Sequence, residues 1–381
     1  MDTTAFLRWL HDTMASKIAS ANKRIIRFQS RADYRRFIRK WSEMKQSLPP
    51  LNDVQQMSII RAISCPLPME AALPRFAERI WIEEDCRIDL HAVSQKPVAS
   101  VSDKGIPWGV QQIKAPQAWS MTTGYRVKVG VIDTGIDFSH PDLRQSIARG
   151  INLLNRSMLP HDDNGHGTHI AGTIAAANQP HGMIGVAPRA SIYPVKAFDH
   201  NGSAYVSDII LGIDWCVRNK MDIINMSFGM KTRSKSLLNA VLSAHHAGIV
   251  VVASSGNDSK RRTIDYPARY AQTISVSATT RFRRIAPFSN RGPFVDIYAP
   301  GDRIVSAWMG GRYHQMSGTS MATSHVSGAI ALLLAYRPGL SPAEIKAVLR
   351  RSMQPLRGRI VPRNAGELDV MRMLQAVDRK R

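Results

Sequence analysis

Three short stretches of the chain carry residues that could act together on an acyl group. One is Lys128-Val129-Gly130-Val131-Ile132-Asp133-Thr134-Gly135, which puts a carboxylate at the end of a strand-like run, just before a Gly turn. The second is Asp163-Asn164-Gly165-His166-Gly167-Thr168-His169, which sets a His among glycines ahead of a helical run over 170–177. The third is Gly318-Thr319-Ser320-Met321-Ala322, with a Ser at the start of a helical run over 319–335. A hydroxyl is a weak nucleophile until a base takes its proton, and the base needs an acid to fix its tautomer. Each residue alone has a plainer reading. Asp133 could be a strand-end turn former, His166 a helix cap or core hydrogen bonder with His169 as its rival, and Ser320 an N-cap. Their joint occurrence favours nucleophilic catalysis by a Ser-His-acid set.

Three such segments meet only if the elements bearing them converge. From residue 114 to about 335, strand-like runs alternate with helical ones. The runs 127–132, 191–196, 223–226, 249–253 and 274–276 are short, β-branched and nearly continuous, as strands buried on both faces of a parallel sheet are. The runs 207–218, 236–247 and 319–335 have helical length and pattern, and a further helix is expected over 342–350. This alternation predicts an α/β fold with a doubly wound, mostly parallel sheet. In such sheets active residues collect just past the carboxyl ends of strands, where Asp133 falls.

Residues 1–100 read as a separate small α+β unit, with strands at 24–28, 58–63 and 79–82 and helices at 32–45 and 68–76. Tyr34, Phe37, Ile38, Trp41 and Met44 recur at helical spacing and would share one apolar face. The stretch 92–105 has no clear periodicity and reads as a linker. The expected division is therefore 1–100, a second domain over 101–352, and a basic, weakly patterned tail over 353–381.

The chain of 381 residues is 44% hydrophobic and 21% charged, which excludes wholesale disorder and fibrous classes. No run of about 18 uncharged apolar residues occurs, so a soluble protein without a membrane span is expected. The formal net charge of +22 favours contact with nucleic acid, anionic surfaces or acidic partners. The basic residues are scattered, however, as in Lys260-Arg261-Arg262 and Arg281-Phe282-Arg283-Arg284. With no recognition motif among them, no specific nucleic-acid partner is expected. Cys65, Cys86 and Cys216 allow at most one bridge and no disulfide framework. No basic flank leads into an apolar core at the N-terminus, so no secretory signal is read there. Together these point to a cytoplasmic setting, with unconventional secretion left open.

With these residues in hand, the chain resembles the subtilisin-like serine proteases (subtilases) over roughly residues 106–352. The matching stretches are Val131-Ile132-Asp133-Thr134-Gly135-Ile136-Asp137, His166-Gly167-Thr168-His169-Ile170-Ala171-Gly172 and Gly318-Thr319-Ser320-Met321-Ala322. Ile224-Asn225-Met226-Ser227-Phe228-Gly229 and Tyr266-Pro267-Ala268 match as well. The order acid, His, Ser is that of subtilisin, and separations of 33 and 154 residues are similar to the family's. The resemblance implies a serine endopeptidase acting on protein or peptide substrates. Ser320 would be the nucleophile, His166 the general base and later acid, Asp133 the orienting carboxylate, and His169 a structural residue. It also implies an oxyanion hole from the Asn257 side chain and the Ser320 backbone N–H, and a substrate-binding segment at Ser227, Phe228 and Gly229. One departure lies inside the motif. The family usually continues Ser-Met-Ala-Ser-Pro-His, whereas Ser320-Met321-Ala322-Thr323-Ser324-His325 has Ser324 at the proline position. Proline lacks an N–H and fixes its own φ, so the helix could sit differently under the nucleophile. The alternative is therefore a catalytically impaired, peptide-binding relative.

The N-terminal unit resembles the subtilase prodomain in its strand–helix–strand–helix–strand order and in Ile82-Glu83-Glu84-Asp85. That implies a zymogen inhibited by its own prodomain; the alternative is an unrelated α+β domain. Prodomain spacing suggests a processing bond in the 89–92 region, while alignment to the catalytic start suggests one near Ser102. Calcium is a further implied cofactor. Asp142 matches a family ligand, and the loop 177–183 would supply oxygens, with Ala177, Gln179, His181 and Met183 as its members. Lys104 falls near a neutral ligand position and Gln179 replaces the usual Asn; an ammonium beside a dication is unfavourable. Asp258 and Asp265 match positions at the rim and towards the base of the pocket for the side chain before the scissile bond. Two carboxylates there predict a preference for basic over aromatic side chains. Alternatively both acids face solvent and pair with Lys260, Arg261 or Arg262.

Overall fold

The Val- and Ile-rich runs between residues 127 and 300 become strands of one nine-stranded sheet. The structure, a computed structural model, describes residues 1–15, 23–68, 76, 78–90, 93–98, 105–177, 182–358, 361–362 and 365–378. Across the sheet the strands run Gln354–Pro355, Gly366–Glu367, Ile297–Pro300, Ile274–Thr279, Val250–Ser254, Ile223–Met226, Lys128–Asp133, Ser191–Lys196 and Ile151–Asn152. Every pairing is parallel except the first, so the expected α/β doubly wound sheet is the fold.

Alternate residues of each central strand enter opposite cores. Val129, Val131, Ile223, Val250 and Val252 pack beneath the helices His166–Ala175 and Thr319–Tyr336. Ile132, Ile224, Met226, Val251 and Ala253 pack beneath the helices Val206–Arg218 and Lys235–His246. Burial on both faces is why these strands read as continuous apolar runs. Among the described residues, no helix is long and apolar enough to cross a membrane. All three cysteines are free.

The N-terminal unit has its own core around Phe6, Phe28, Phe37 and Ile63. Its antiparallel sheet runs Gln55–Met57, Ala62–Pro66, Lys23–Phe28 and Ile80–Glu84, covered by Thr3–Ala15 and Arg31–Met44. Helix Thr3–Ala15 was not anticipated, although Phe6, Leu7 and Leu10 already stand at helical spacing. The second strand lies later than expected, because residues 58–60 form a short 3-10 turn before Ala62–Pro66. The helix expected at 68–76 falls mostly outside the described residues.

Two expectations are overturned. Residues 93–98 are not linker but a strand, Val93–Val98, paired with Arg312–Ser317. The expected tail over 353–381 is, in its described residues, not a tail. Gly366–Glu367 extends the main sheet, and Val370, Met373, Leu374 and Val377 of helix Val370–Asp378 enter its core. Those four positions make an apolar face that the neighbouring basic residues obscure in the sequence.

Two acids of the N-terminal unit sit at helix starts on the second domain. Glu83 Oε2 accepts from Ser236 N at 3.0 Å and Ser236 Oγ at 2.7 Å, beginning helix Lys235–His246. Asp85 Oδ1 accepts from Ser207 N at 2.9 Å, beginning helix Val206–Arg218. Orphan amides and the helix dipole favour carboxylates at these ends.

Candidate active site

Asp133 is the last residue of its strand and is fully buried. Its Oδ1 accepts from Thr134 N at 2.8 Å and from His166 Nδ1 at 2.7 Å. With a carboxylate as partner, Nδ1 carries the proton, leaving Nε2 as the basic nitrogen. That Nε2 is buried and has no hydrogen-bond partner among the described residues. Burial works against a charged His166 ring, but the charge and hydrogen bond of Asp133, with Asp162 behind it, outweigh burial and raise its pKa above 6.5. Helix His166–Ala175 starts where it does because Gly165 takes φ +106° against the Trp308 ring, where a Cβ would lie 2.2 Å from Trp308 Cζ2.

Asp162 holds this corner together. It accepts from Thr134 Oγ1, Gly165 N, Thr168 N and Thr168 Oγ1 at 2.6–2.9 Å. His169, one helical turn on, has Nε2 within 3.1 Å of the carbonyls of Ile304 and His314, so it donates there. Burial, followed by the neighbouring His166, pushes its pKa down to about 3. Of the two histidines, only His166 faces the carboxylate.

Ser320 reaches the same place from the next strand. Ile132 and Met226 are register partners, so Asp133 and Ser227 leave adjacent parallel strands side by side. Ser320 Oγ donates to the Ser227 carbonyl at 2.8 Å. A buried chain backs this contact: Ser327 Oγ donates to Asn225 Oδ1 at 2.8 Å, and Asn225 Nδ2 to Ser227 Oγ at 2.8 Å. Ser320 is the second residue of helix Thr319–Tyr336, where backbone N–H groups lack intrahelical acceptors. Asn257 Oδ1 accepts from Thr319 N at 2.9 Å and Thr319 Oγ1 at 2.8 Å, which turns the Nδ2 end of the amide away from that residue. Ser324 lies inside a regular helix and donates its hydroxyl to the Met321 carbonyl at 2.7 Å. Ser324 thus sits within one unbroken helix, Thr319–Tyr336.

A buried His-carboxylate pair beside a serine at a helix N-terminus can perform acyl transfer. A profile described as "Subtilase family" matches residues 124–367. The chain belongs to the subtilase family. Subtilisin E of Bacillus subtilis (strain 168) is 45% identical over 259 residues, covering 67% of this chain and 68% of that protein. Subtilisin of Bacillus pumilus is 45% identical over 248 residues, covering 64% and 90%. The thermostable alkaline protease of Halalkalibacterium halodurans is 42% identical, covering 68% and 70%. This subtilase is a serine-type endopeptidase acting on protein substrates.

In this subtilase two segments leave the sheet beside Ser320: Ser227-Phe228-Gly229 after Ile223–Met226, and Ser255-Gly256-Asn257 after Val250–Ser254. Of the expected substrate-binding trio, Phe228 turns its fully buried ring against Phe198. Asp265 lies behind the second segment, with its N–H donating to Ser255 O at 3.1 Å. Asp258 faces solvent, as the alternative has it, but Asp265 is buried, and both acids share Lys231 as a partner.

The donors present at the expected calcium position are few. Asp142 is buried, and its Oδ2 already accepts from Met183 N at 2.9 Å and Tyr313 OH at 2.7 Å. Ala177 donates its N–H to the Asp142 carbonyl at 2.8 Å. Gln179, His181 and Lys104 lie outside the described residues. Among the described residues no group of three acidic, His or Cys side chains could hold a metal. Calcium takes six to eight oxygens, so the donors described here do not make up its site. No step below passes through a metal.

Sequence reasoning missed Asp162, Thr134, Asn225 and Lys231. Asp162-Asp163-Asn164-Gly165 was a visible signal, since side chains of this kind bond local backbone amides ahead of a helix. Lys231 carried no local signal, because its partners lie 27 and 34 residues away.

Proposed function

We propose that this serine protease cuts peptide bonds through Ser320, His166 and Asp133 and is made as a self-inhibited zymogen. The observation that carries the catalytic reading is the 2.7 Å bond between Asp133 Oδ1 and His166 Nδ1, buried next to the Ser320 helix. In the resting state the Ser320 hydroxyl donates to the Ser227 carbonyl. For reaction, the hydroxyl turns to His166 Nε2, which takes the proton as Oγ attacks the substrate carbonyl. The developing oxyanion receives the Ser320 N–H and the Asn257 side-chain amide. His166 then gives its proton to the leaving amine, and a water activated by the same nitrogen releases the acyl group. Asp133 holds the tautomer and balances the imidazolium. Asn257→Ala is expected to lower turnover by about 10²–10³, a size taken from subtilisin itself. Peptide kcat against KM is the measurement; a loss confined to KM would assign Asn257 to binding.

The zymogen reading rests on strand pairing on both sides of Ser320. On one side Arg87–Asp89 pairs antiparallel with Ser203–Tyr205, and Leu90 N donates to Gly202 O at 2.8 Å. On the other, Val93–Val98 pairs with Arg312–Ser317, the strand that runs into Gly318 and Ser320. A substrate must lie in the cleft in the same way, as an added strand on each side of the cut bond. This supports self-cleavage between residues 90 and 93, in line with the earlier of the two spacings and against one near Ser102. Purified full-length protein is expected to yield a new N-terminus in that span, with Ser320→Ala remaining intact. A new N-terminus near residue 102, or processing of the alanine variant, would contradict this.

A further inference from the structure

An unanticipated cation, Lys231, pairs with both acids expected at the pocket for the side chain before the cut. Ser227-Phe228-Gly229 and Ser254-Ser255-Gly256-Asn257 form two walls, each tied to the Ser320 helix: Ser227 through Ser320, Asn257 through Thr319. Asp265 closes the space behind both. A Cβ on Gly229 would lie 2.7 Å from Asp265 Cβ, and one on Gly256 would lie 2.4 Å from Asp265 Oδ2. Side chains at either glycine would clash with Asp265, so the two glycines let this buried carboxylate sit directly against both segments.

Lys231, two residues beyond Gly229, places Nζ 3.0 Å from both oxygens of Asp265 and also bonds Asp258 Oδ2. The Asp265 side chain has 0% exposure, while those of Lys231 and Asp258 have 43% and 37%. The lysine thus bridges an acid at the rim to an acid at the floor. A buried carboxylate without a counter-charge is costly, and Lys231 supplies that charge from within the chain.

We propose that Lys231 is a specificity-determining residue, an internal cation that competes with basic substrate side chains for Asp265. The proposal rests on the reading of Ser320 as nucleophile. A substrate Arg or Lys before the cut must displace the Lys231 ammonium or share Asp265 with it. An aromatic side chain meets an ion pair already neutralised at the floor. The two acids therefore confer less preference for basic residues than their charges alone suggest, and removing the lysine charge should release it.

The test compares kcat/KM for two peptides identical except for Arg or Phe before the cut. The enzymes are wild type, Lys231→Met, Lys231→Gln, Lys231→Arg and the double variant Lys231→Met with Asp265→Asn. The Arg-to-Phe ratio is expected to rise on the order of tenfold in Lys231→Met and Lys231→Gln, since an opposing charge a few ångströms from the substrate cation is gone. It should stay near wild type in Lys231→Arg and fall back in the double variant. Ratios within twofold of wild type in both neutral variants would overturn the proposal, as would a rise that persists without Asp265. If one neutral variant does not fold, the other carries the comparison. Failure of the catalytic reading looks different: wild type would then cut neither peptide in a Ser320-dependent way.

Discussion

Replacing Ser320 by Ala is expected to lower peptide turnover by about 10⁶, a size set by subtilisin itself rather than by this chain. His166→Ala should cost a similar factor, and the double variant should be no worse than either. The reason is geometric. Ser320 Oγ gains nucleophilicity only when His166 Nε2 takes its proton, and that nitrogen serves only if there is a hydroxyl to deprotonate. The Asp133–His166 bond keeps the proton on Nδ1, so one nitrogen alone does this work. Some activity above the uncatalysed rate should persist, since the Ser320 N–H and Asn257 remain. Losses that add in the double variant would mean that the two residues act independently.

Asp133→Asn should lower kcat by roughly 10⁴ and should also move the pH profile. In the wild type, burial disfavours the charged His166 ring, but Asp133 overrides it and raises the pKa above 6.5. The base form is required for attack, so activity is absent well below that raised pKa and appears as pH climbs through it. Asparagine removes the charge and leaves the burial. The pKa of His166 then falls, and the acid limb of kcat/KM should shift to lower pH beneath a much reduced plateau. A profile with an unmoved midpoint would show that Asp133 does not set the charge state of His166.

Much of this candidate site is legible in the sequence because its parts are local. Asp133, His166 and Ser320 each stand where a strand or helix begins or ends, and such boundaries leave signals in glycines and β-branched runs. The central strands were legible for the same reason: Ser191–Lys196 and Ile223–Met226 fall where their apolar runs do. What escaped was set by partners distant in sequence. Val93–Val98 is a strand because Arg312–Ser317 offers an edge, and nothing in its own pattern says so. Helix Val370–Asp378 is defined by its packing on the main core, against a basic composition that suggested a solvated tail. Lys231 escaped because only the fold brings Asp258 and Asp265 to it.

Covalent labelling tests the central claim most directly. The purified enzyme would be treated with a fluorophosphonate, which phosphonylates a serine only where a base activates the hydroxyl and an oxyanion site receives the phosphonyl oxygen. Digestion and mass spectrometry would then locate the adduct. The expected result is one adduct, on Ser320, formed at a rate that climbs with pH through the raised His166 pKa and is lost in His166→Ala. An adduct on another serine, or labelling of Ser320 that persists without His166, would contradict the account.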